Sequence, residues 1–215
     1  MAVSMRRSGF RLWVAWAAAA ALGFVIAQLL SPQLVMSYGE IGVVALWAPM
    51  ALLQFFVLRA VAHLSPGAAG LWVVATISAV VMNGPANLVW YQGLLPRLSP
   101  WLLDATPWSM DLFFEAAFYF FALLLGVAQG LVLVRILGRK SVFVIWVGVN
   151  VAAWALGRFA SSMAITGFQV DLATLGPGPT WPDVLLALVF GAITGAALVA
   201  LMRWRLAPAP IPVAA

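Results

Sequence analysis

Cysteine is absent from this chain of 215 residues, and histidine occurs once. Without thiols there can be no disulfide, no iron–sulfur cluster and no cysteine nucleophile. A single histidine cannot supply a zinc site built on a histidine pair, or a bis-histidine haem. Charge is equally scarce: Asp, Glu, Lys and Arg make up 8% of the residues, against 65% that are hydrophobic. H-E-x-x-H, the phosphate-binding loop, a Ser-His-Asp set and paired catalytic carboxylates are missing too. The residues therefore point away from an enzyme, name no metal site and leave any cofactor unknown.

What the chain does have is long apolar runs. A β-barrel would show short segments of alternating polarity. Here the runs are continuous and rich in Leu, Ala, Val and Phe, which predicts an all-α polytopic membrane protein. Six spans are expected, at 10–30, 40–62, 68–90, 111–137, 141–166 and 182–204. Each is near or above the roughly 20 residues that cross about 30 Å of hydrocarbon. The basic start and Ala-rich run of the first span resemble a signal peptide, but it lacks a convincing cleavage site before "SPQL" and reads as a retained helix. Residues 1–207 then form one transmembrane domain, and 208–215, with Pro at every second position of "APAPIP", an extended tail.

The charges are sorted along the six spans. Arg6, Arg7, Arg11, Arg59, Arg135, Arg139, Lys140, Arg203 and Arg205 fall on one side, and only Arg97 and Arg158 on or near the other. All six acids, Glu40, Asp104, Asp111, Glu115, Asp171 and Asp183, fall in the opposite half. The positive-inside rule puts both termini in the cytoplasm, in a cytoplasmic (inner) membrane. The same sorting argues against nucleic acid as the reason for a pI near 10.8, because no single basic face is formed. Membrane lipids are the expected surroundings. Two outer loops, 91–111 and 167–183, are rich in Pro and Trp. The first is expected to hold a short interfacial helix with Trp90, Trp101 and Trp108 at headgroup depth.

One helical pattern is written three times. Align "LLQFFVLRA" (52–60), "GVAQGLVLVRI" (126–136) and "GAITGAALVALMR" (191–203) on Gln54, Gln129 and Leu198. Three residues before each lies Ala51, Gly126 or Gly195, and five or six after each lies Arg59, Arg135 or Arg203. Glu40 and Glu115 stand 14 residues before their glutamines, and Asp183 stands 15 before Leu198. "AAALGF" and "AWALGRF" echo each other in the first and fifth spans. The expected architecture is three tandem helical hairpins. Small residues allow the close backbone approach that drives packing in lipid, and Gly191 and Gly195 form a G-x-x-x-G. The pattern resembles a group of uncharacterised bacterial multipass membrane proteins with a repeated G-x-x-Q-x-x-x-L-R helix. The resemblance rests on Gln54, Leu58 and Arg59, and on Gly126, Gln129 and Arg135. It implies the repeated membrane helix and no activity.

The candidate polar residues are few. "NGPAN" at 83–87 should interrupt the third span, because Pro85 lacks a donor and clashes with the preceding turn. Asn83 and Asn87, four apart on one face, then either bind a ligand at the break or bond to neighbouring helices. Arg158 lies about 25 Å along the fifth span, and Glu115 about 6 Å below the outer start of the fourth, at ~1.5 Å per residue. That is similar depth, so the two are expected to pair or to line an anion site, since a lone charge in hydrocarbon is costly. Gln54, Gln129 and Asn150 are expected to bond between helices. His63, at the inner end of the second span, could ligate a chlorophyll-type magnesium or sit solvated at the interface. The 11 tryptophans are expected mostly at the interfaces.

The function expected from these residues is a non-catalytic integral membrane subunit packing against protein partners in a larger complex. The alternative is a solute-binding membrane protein, since size and topology also resemble the substrate-capturing component of energy-coupling-factor vitamin transporters. A lipid-modifying enzyme has only Glu115, Arg158 and the outer loops in its favour.

Overall fold

The computed structural model describes the backbone of residues 2–38, 40–94, 96–98, 100, 109–167 and 180–206. It describes side chains at 9–30, 47–86, 89, 92–94, 96–98, 100, 116, 118–167 and 180–204. The described elements are all helical: α1 (Ala2–Tyr38), α2 (Glu40–Ala60), α3 (Pro66–Leu88), α4 (Ser109–Leu137), α5 (Ser141–Gly167) and α6 (Trp181–Leu206). A π-helical segment, Val89–Leu94, continues α3. Among the described residues, five stretches are long and apolar enough to cross a membrane: Gly9–Leu30, Pro66–Ala86, Phe118–Leu137, Ser141–Gly167 and Trp181–Trp204. α2 contributes a shorter apolar stretch, Trp47–Ala60. Five such helices indicate a multipass membrane protein.

Helix ends follow local chemistry. Ser65 caps α3: its Oγ accepts from the Ala68 N–H at 3.2 Å, and Pro66 fills the first turn, where no amide donor is needed. α4 stops at Gly138, whose φ of 72° suits glycine, and whose N–H returns to the Val134 carbonyl at 2.8 Å. At the head of α6 the Thr180 hydroxyl donates to Asp183 Oδ2 at 2.5 Å, and the acid stands in the first turn, where the helix dipole favours it. The α2–α3 turn places His63 at φ 54°, an uncommon conformation for a side chain with a Cβ.

Two departures from the expected spans concern proline. α1 is 37 residues long rather than about 20 and runs through Pro32 to Tyr38. "NGPAN" does not interrupt α3, which stays helical to Leu88. Pro85 removes only the one bond its own N–H would have made, and Val89 N–H still reaches the Pro85 carbonyl. The irregularity falls beyond the motif, where Val89–Leu94 takes up the wider π spacing.

Packing forms a closed ring. α1 packs on α2, α2 on α3, α3 on α4, α4 on α5, α5 on α6, and α6 returns to α1. Neighbours run antiparallel: Gly9 lies beside Arg203 at one end of the α1–α6 seam, and Ala20 beside Gly191 further along. The start of α1 and the end of α6 therefore share one end of the ring with the α2–α3 and α4–α5 turns. Arg59, Arg135, Arg139, Lys140 and Arg203 lie at this basic end. The core cluster near it draws on Leu12, Trp16, Leu58, Trp72, Leu133, Trp146 and Leu198, so all six helices feed one interior.

Candidate functional site

The interior holds a belt of indoles and short polar side chains. Trp72 (α3) donates its Nε1–H to Gln54 Oε1 (α2) at 2.9 Å. Trp146 (α5) donates to Gln129 Oε1 (α4) at 3.3 Å, and Trp16 (α1) to Thr194 Oγ1 (α6) at 3.1 Å. Each indole thus reaches the helix that precedes its own around the ring. The three rings also meet edge to face, Trp16 on Trp72 at 5.3 Å and Trp72 on Trp146 at 5.6 Å. Coming from alternate helices and touching, they fill the middle of the ring. Every one of these six side chains is buried.

Helical spacing repeats the rest of the contact. Four residues beyond Gln54, Gln129 and Thr194 come Leu58, Leu133 and Leu198, all fully buried. Three residues before them come Ala51, Gly126 and Gly191, also buried. A Cβ on Gly126 would lie 3.1 Å from Val147 Cα and 3.2 Å from Asn150 Cβ. A Cβ on Gly191 would lie 3.0 Å from Ala17 Cα and 2.7 Å from Ala20 Cβ. These partners stand one and four residues after Trp146 and Trp16, so the two seams are built alike. The contacts match Thr194, not Leu198, to Gln54 and Gln129. Leu198 matches Leu58 and Leu133 instead, and Gly195 packs one residue further on, against Trp13 and Trp16. On α6 the acid and arginine thus sit one turn away from the register that the core uses.

The polar belt is internally satisfied. Gln129 Nε2 donates to Thr76 Oγ1 at 3.0 Å, and Thr76 donates to the Trp72 carbonyl at 2.9 Å. Thr194 donates to the Phe190 carbonyl at 2.8 Å, and Trp13 Nε1 to the Ala192 carbonyl at 2.8 Å. Gln129 is the joint between α3, α4 and α5. Gln129→Leu strands the buried Trp146 donor and should cost about 1–3 kcal/mol. Adding Trp146→Phe removes the stranded group, so the double variant should lose less than the two single losses combined. Thermal unfolding of the four proteins in detergent measures the coupling, and additive losses would show that amide and indole do not depend on each other.

Beyond the belt, away from the basic end, satisfaction gives out. Asn150 donates to the Trp146 carbonyl at 3.0 Å, but its Oδ1 is buried and has no hydrogen-bond partner among the described residues. The same holds for Trp154 Nε1, one turn along α5, and for Asn83 Oδ1 on α3. Trp154 stacks on Phe118 and meets Phe121 and Phe190 edge-on. It also lines a cavity of about 10 Å³ with Phe24, Trp47, Met50 and Phe190. That is the room of a single water at most. Arg158, one further turn along α5, is half-buried with its guanidinium carbon 5.4 Å from the Phe118 ring centre. Phe118 stands three residues from Glu115 on α4, so the two expected partners come from facing segments. The Glu115 side chain itself, and that of Asn87, lie outside the described residues, as do those of Trp90, Trp101 and Trp108.

Four tryptophans expected at interfaces, or assigned no role, are core residues instead: Trp16, Trp72, Trp146 and Trp154. Position along the span gives no signal for this, since Trp72 and Trp146 stand within about two turns of a helix start, where an interfacial anchor also belongs. Thr76 and Thr194 carry no signal either, because a threonine is unremarkable in a membrane helix. His63 is exposed in the α2–α3 turn rather than facing a buried pocket. Among the described residues, no group of three or more His, Asp or Glu could hold a metal ion. Comparison with known proteins returns no match to any family model, curated sequence or solved structure.

Proposed function

We propose that the chain is a non-catalytic subunit of a larger membrane complex. It would lie in the cytoplasmic membrane as three tandem hairpins with six spans and both termini inside. The observation that carries this reading is the use of the interior. The indole belt fills the ring, and its polar groups are spent on one another, so the belt has little left with which to hold a substrate. What remains available is the outward surface, where Val74, Val144 and Phe159 are more than half exposed. Such faces suit lipid and neighbouring membrane helices. Purification from the native membrane in mild detergent tests the proposal. Stoichiometric protein partners support it, and a lone chain carrying a small molecule would replace it with the solute-binding reading. That second reading has one observation in its favour: the unsatisfied Asn83, Asn150 and Trp154 atoms all lie on the side of the belt away from the basic end, where Arg158 also stands.

The proposed topology has its own expected result. A reporter enzyme active only outside the cytoplasm should be silent when fused after Ala215 or placed in the Gly138–Lys140 turn. In the 169–180 loop it should be active. An active fusion at Ala215 would overturn both the span count and the charge argument.

A further inference from the structure

The three seams at the basic end of the ring are not finished alike. At the α5–α6 side, the Arg139 guanidinium lies 4.8 Å over the Trp204 ring. At the α6–α1 seam, the Arg203 guanidinium packs against Gly9. Where the α2–α3 turn meets the end of α4, the corresponding space is an open cleft of about 730 Å³, lined by His63, Ser65, Gly67, Leu71, Arg135 and Ile136. The α2–α3 turn beside it spans residues 61–65, against only three residues between α4 and α5, and His63 within it takes a left-handed conformation. Arg59 ties the turn to the end of α2 by donating from Nη1 to the Leu64 carbonyl at 2.7 Å.

The cleft is two-sided in chemistry. Arg135 is exposed at its mouth in the last turn of α4, the depth at which arginines meet headgroups. Leu71 and Ile136 supply an apolar wall running back along α3 and α4 toward the hydrocarbon. Its volume is within the roughly 300–1,000 Å³ of ordinary ligand sites. The proposed topology places this end at the leaflet that is rich in anionic lipid. We propose that the cleft is a specific site for an anionic phospholipid, its phosphate on Arg135 beside His63 and its acyl chain along Leu71 and Ile136. The inference rests on the membrane reading and not on the identity of any protein partner.

The test uses the full chain purified in a non-ionic detergent and titrated with phosphatidylglycerol, with phosphatidylcholine of the same chains, or with inorganic phosphate. Native mass spectrometry reads lipid retention, and the melting temperature reads protection. Phosphatidylglycerol should be retained and should raise the melting temperature; phosphatidylcholine and inorganic phosphate should do neither. Arg135→Gln should weaken phosphatidylglycerol about fivefold, the contribution of one arginine at an anionic surface. Gly67→Phe, which changes no charge and whose Cβ would meet nothing within 4 Å, should weaken it at least as much by filling the cleft that Gly67 lines. Arg203→Gln, on the opposite seam, should retain the lipid. Equal weakening by Arg203→Gln would show a diffuse basic belt and overturn the site. Equal retention of phosphatidylcholine would remove its charge selectivity. Equal protection by inorganic phosphate would show an anion site without a lipid. Either of the last two results also overturns the proposal while leaving the membrane-subunit reading intact.

Discussion

Trp72→Ala should cost about 3–5 kcal/mol of stability, as large aromatic truncations in packed cores do. The indole is fully buried, lies edge-on to both Trp16 and Trp146, and holds Gln54 through its ring nitrogen. Alanine would open the centre of the ring, break two aromatic contacts and leave the Gln54 carbonyl oxygen without its donor. Trp72→Phe separates these effects. It keeps most of the ring contact and loses the hydrogen bond, so its cost should be nearer 1–3 kcal/mol. Thermal unfolding in detergent is the measurement. At about 2–4 °C per kcal/mol for a chain of this length, the alanine variant should melt roughly 6–20 °C lower. Trp204→Ala is the comparison, because that ring is 41% exposed. Equal losses at Trp72 and Trp204 would mean that the belt is not the core of the fold.

Gly191→Leu is expected to be nearly as damaging, for the opposite reason. It adds volume where there is none: even the first added carbon would lie 3.0 Å from Ala17 Cα and 2.7 Å from Ala20 Cβ. Neither neighbour can swing aside, since one atom is backbone and the other is attached directly to it. Overpacking commonly costs 1–3 kcal/mol and more where the backbone must move, so about 3 kcal/mol or more is expected here. Gly126→Leu should behave the same way against Val147 and Asn150. Gly148→Leu is the control, because a Cβ there meets nothing within 4 Å and the change should stay within about 0.5 kcal/mol of wild type. Melting temperatures of the three variants decide the matter. If Gly191→Leu and Gly148→Leu melt together, close approach at the α1–α6 seam is not what holds the ring.

The helices and several of their ends are legible in the residues themselves. Continuous apolar runs announce each one, while the Ser65-Pro66 start of α3 and the Gly138 end of α4 are end signals that the span reading does not use. The register of α6 is harder to read, because two different forces act on the same helix. Asp183 and Arg203 stand at the two ends of α6, whereas Thr194 and Gly191 are placed by Trp16, Ala17 and Ala20. The two sets of positions differ by about a turn on α6. An alignment that weighs charges therefore finds Leu198 where the core uses Thr194. The tryptophans mislead in a similar way. A residue suited to an interface is equally suited to a core if its N–H finds an acceptor, and Gln54, Gln129 and Thr194 provide three. Pro85 misleads because losing one hydrogen bond is not enough to end a helix whose other bonds remain. Of the polar residues singled out in advance, Gln54, Gln129 and Asn150 are buried beside the belt indoles, and Arg158 stands over Phe118.

Closing the ring through α1 and α6 has a consequence for the order of events during synthesis. Trp16 and its acceptor Thr194 are separated by 178 residues, nearly the length of the chain. At roughly 5–20 residues per second, α1 leaves the ribosome about 10–35 s before α6 exists. Throughout that interval the Trp13 and Trp16 donors and the Ala17–Ala20 face lack their α6 partners, although Trp16 can already meet Trp72 of α3. The chain's oldest helix is the last to be completed, and the nascent protein stays an open arc until its newest helix arrives.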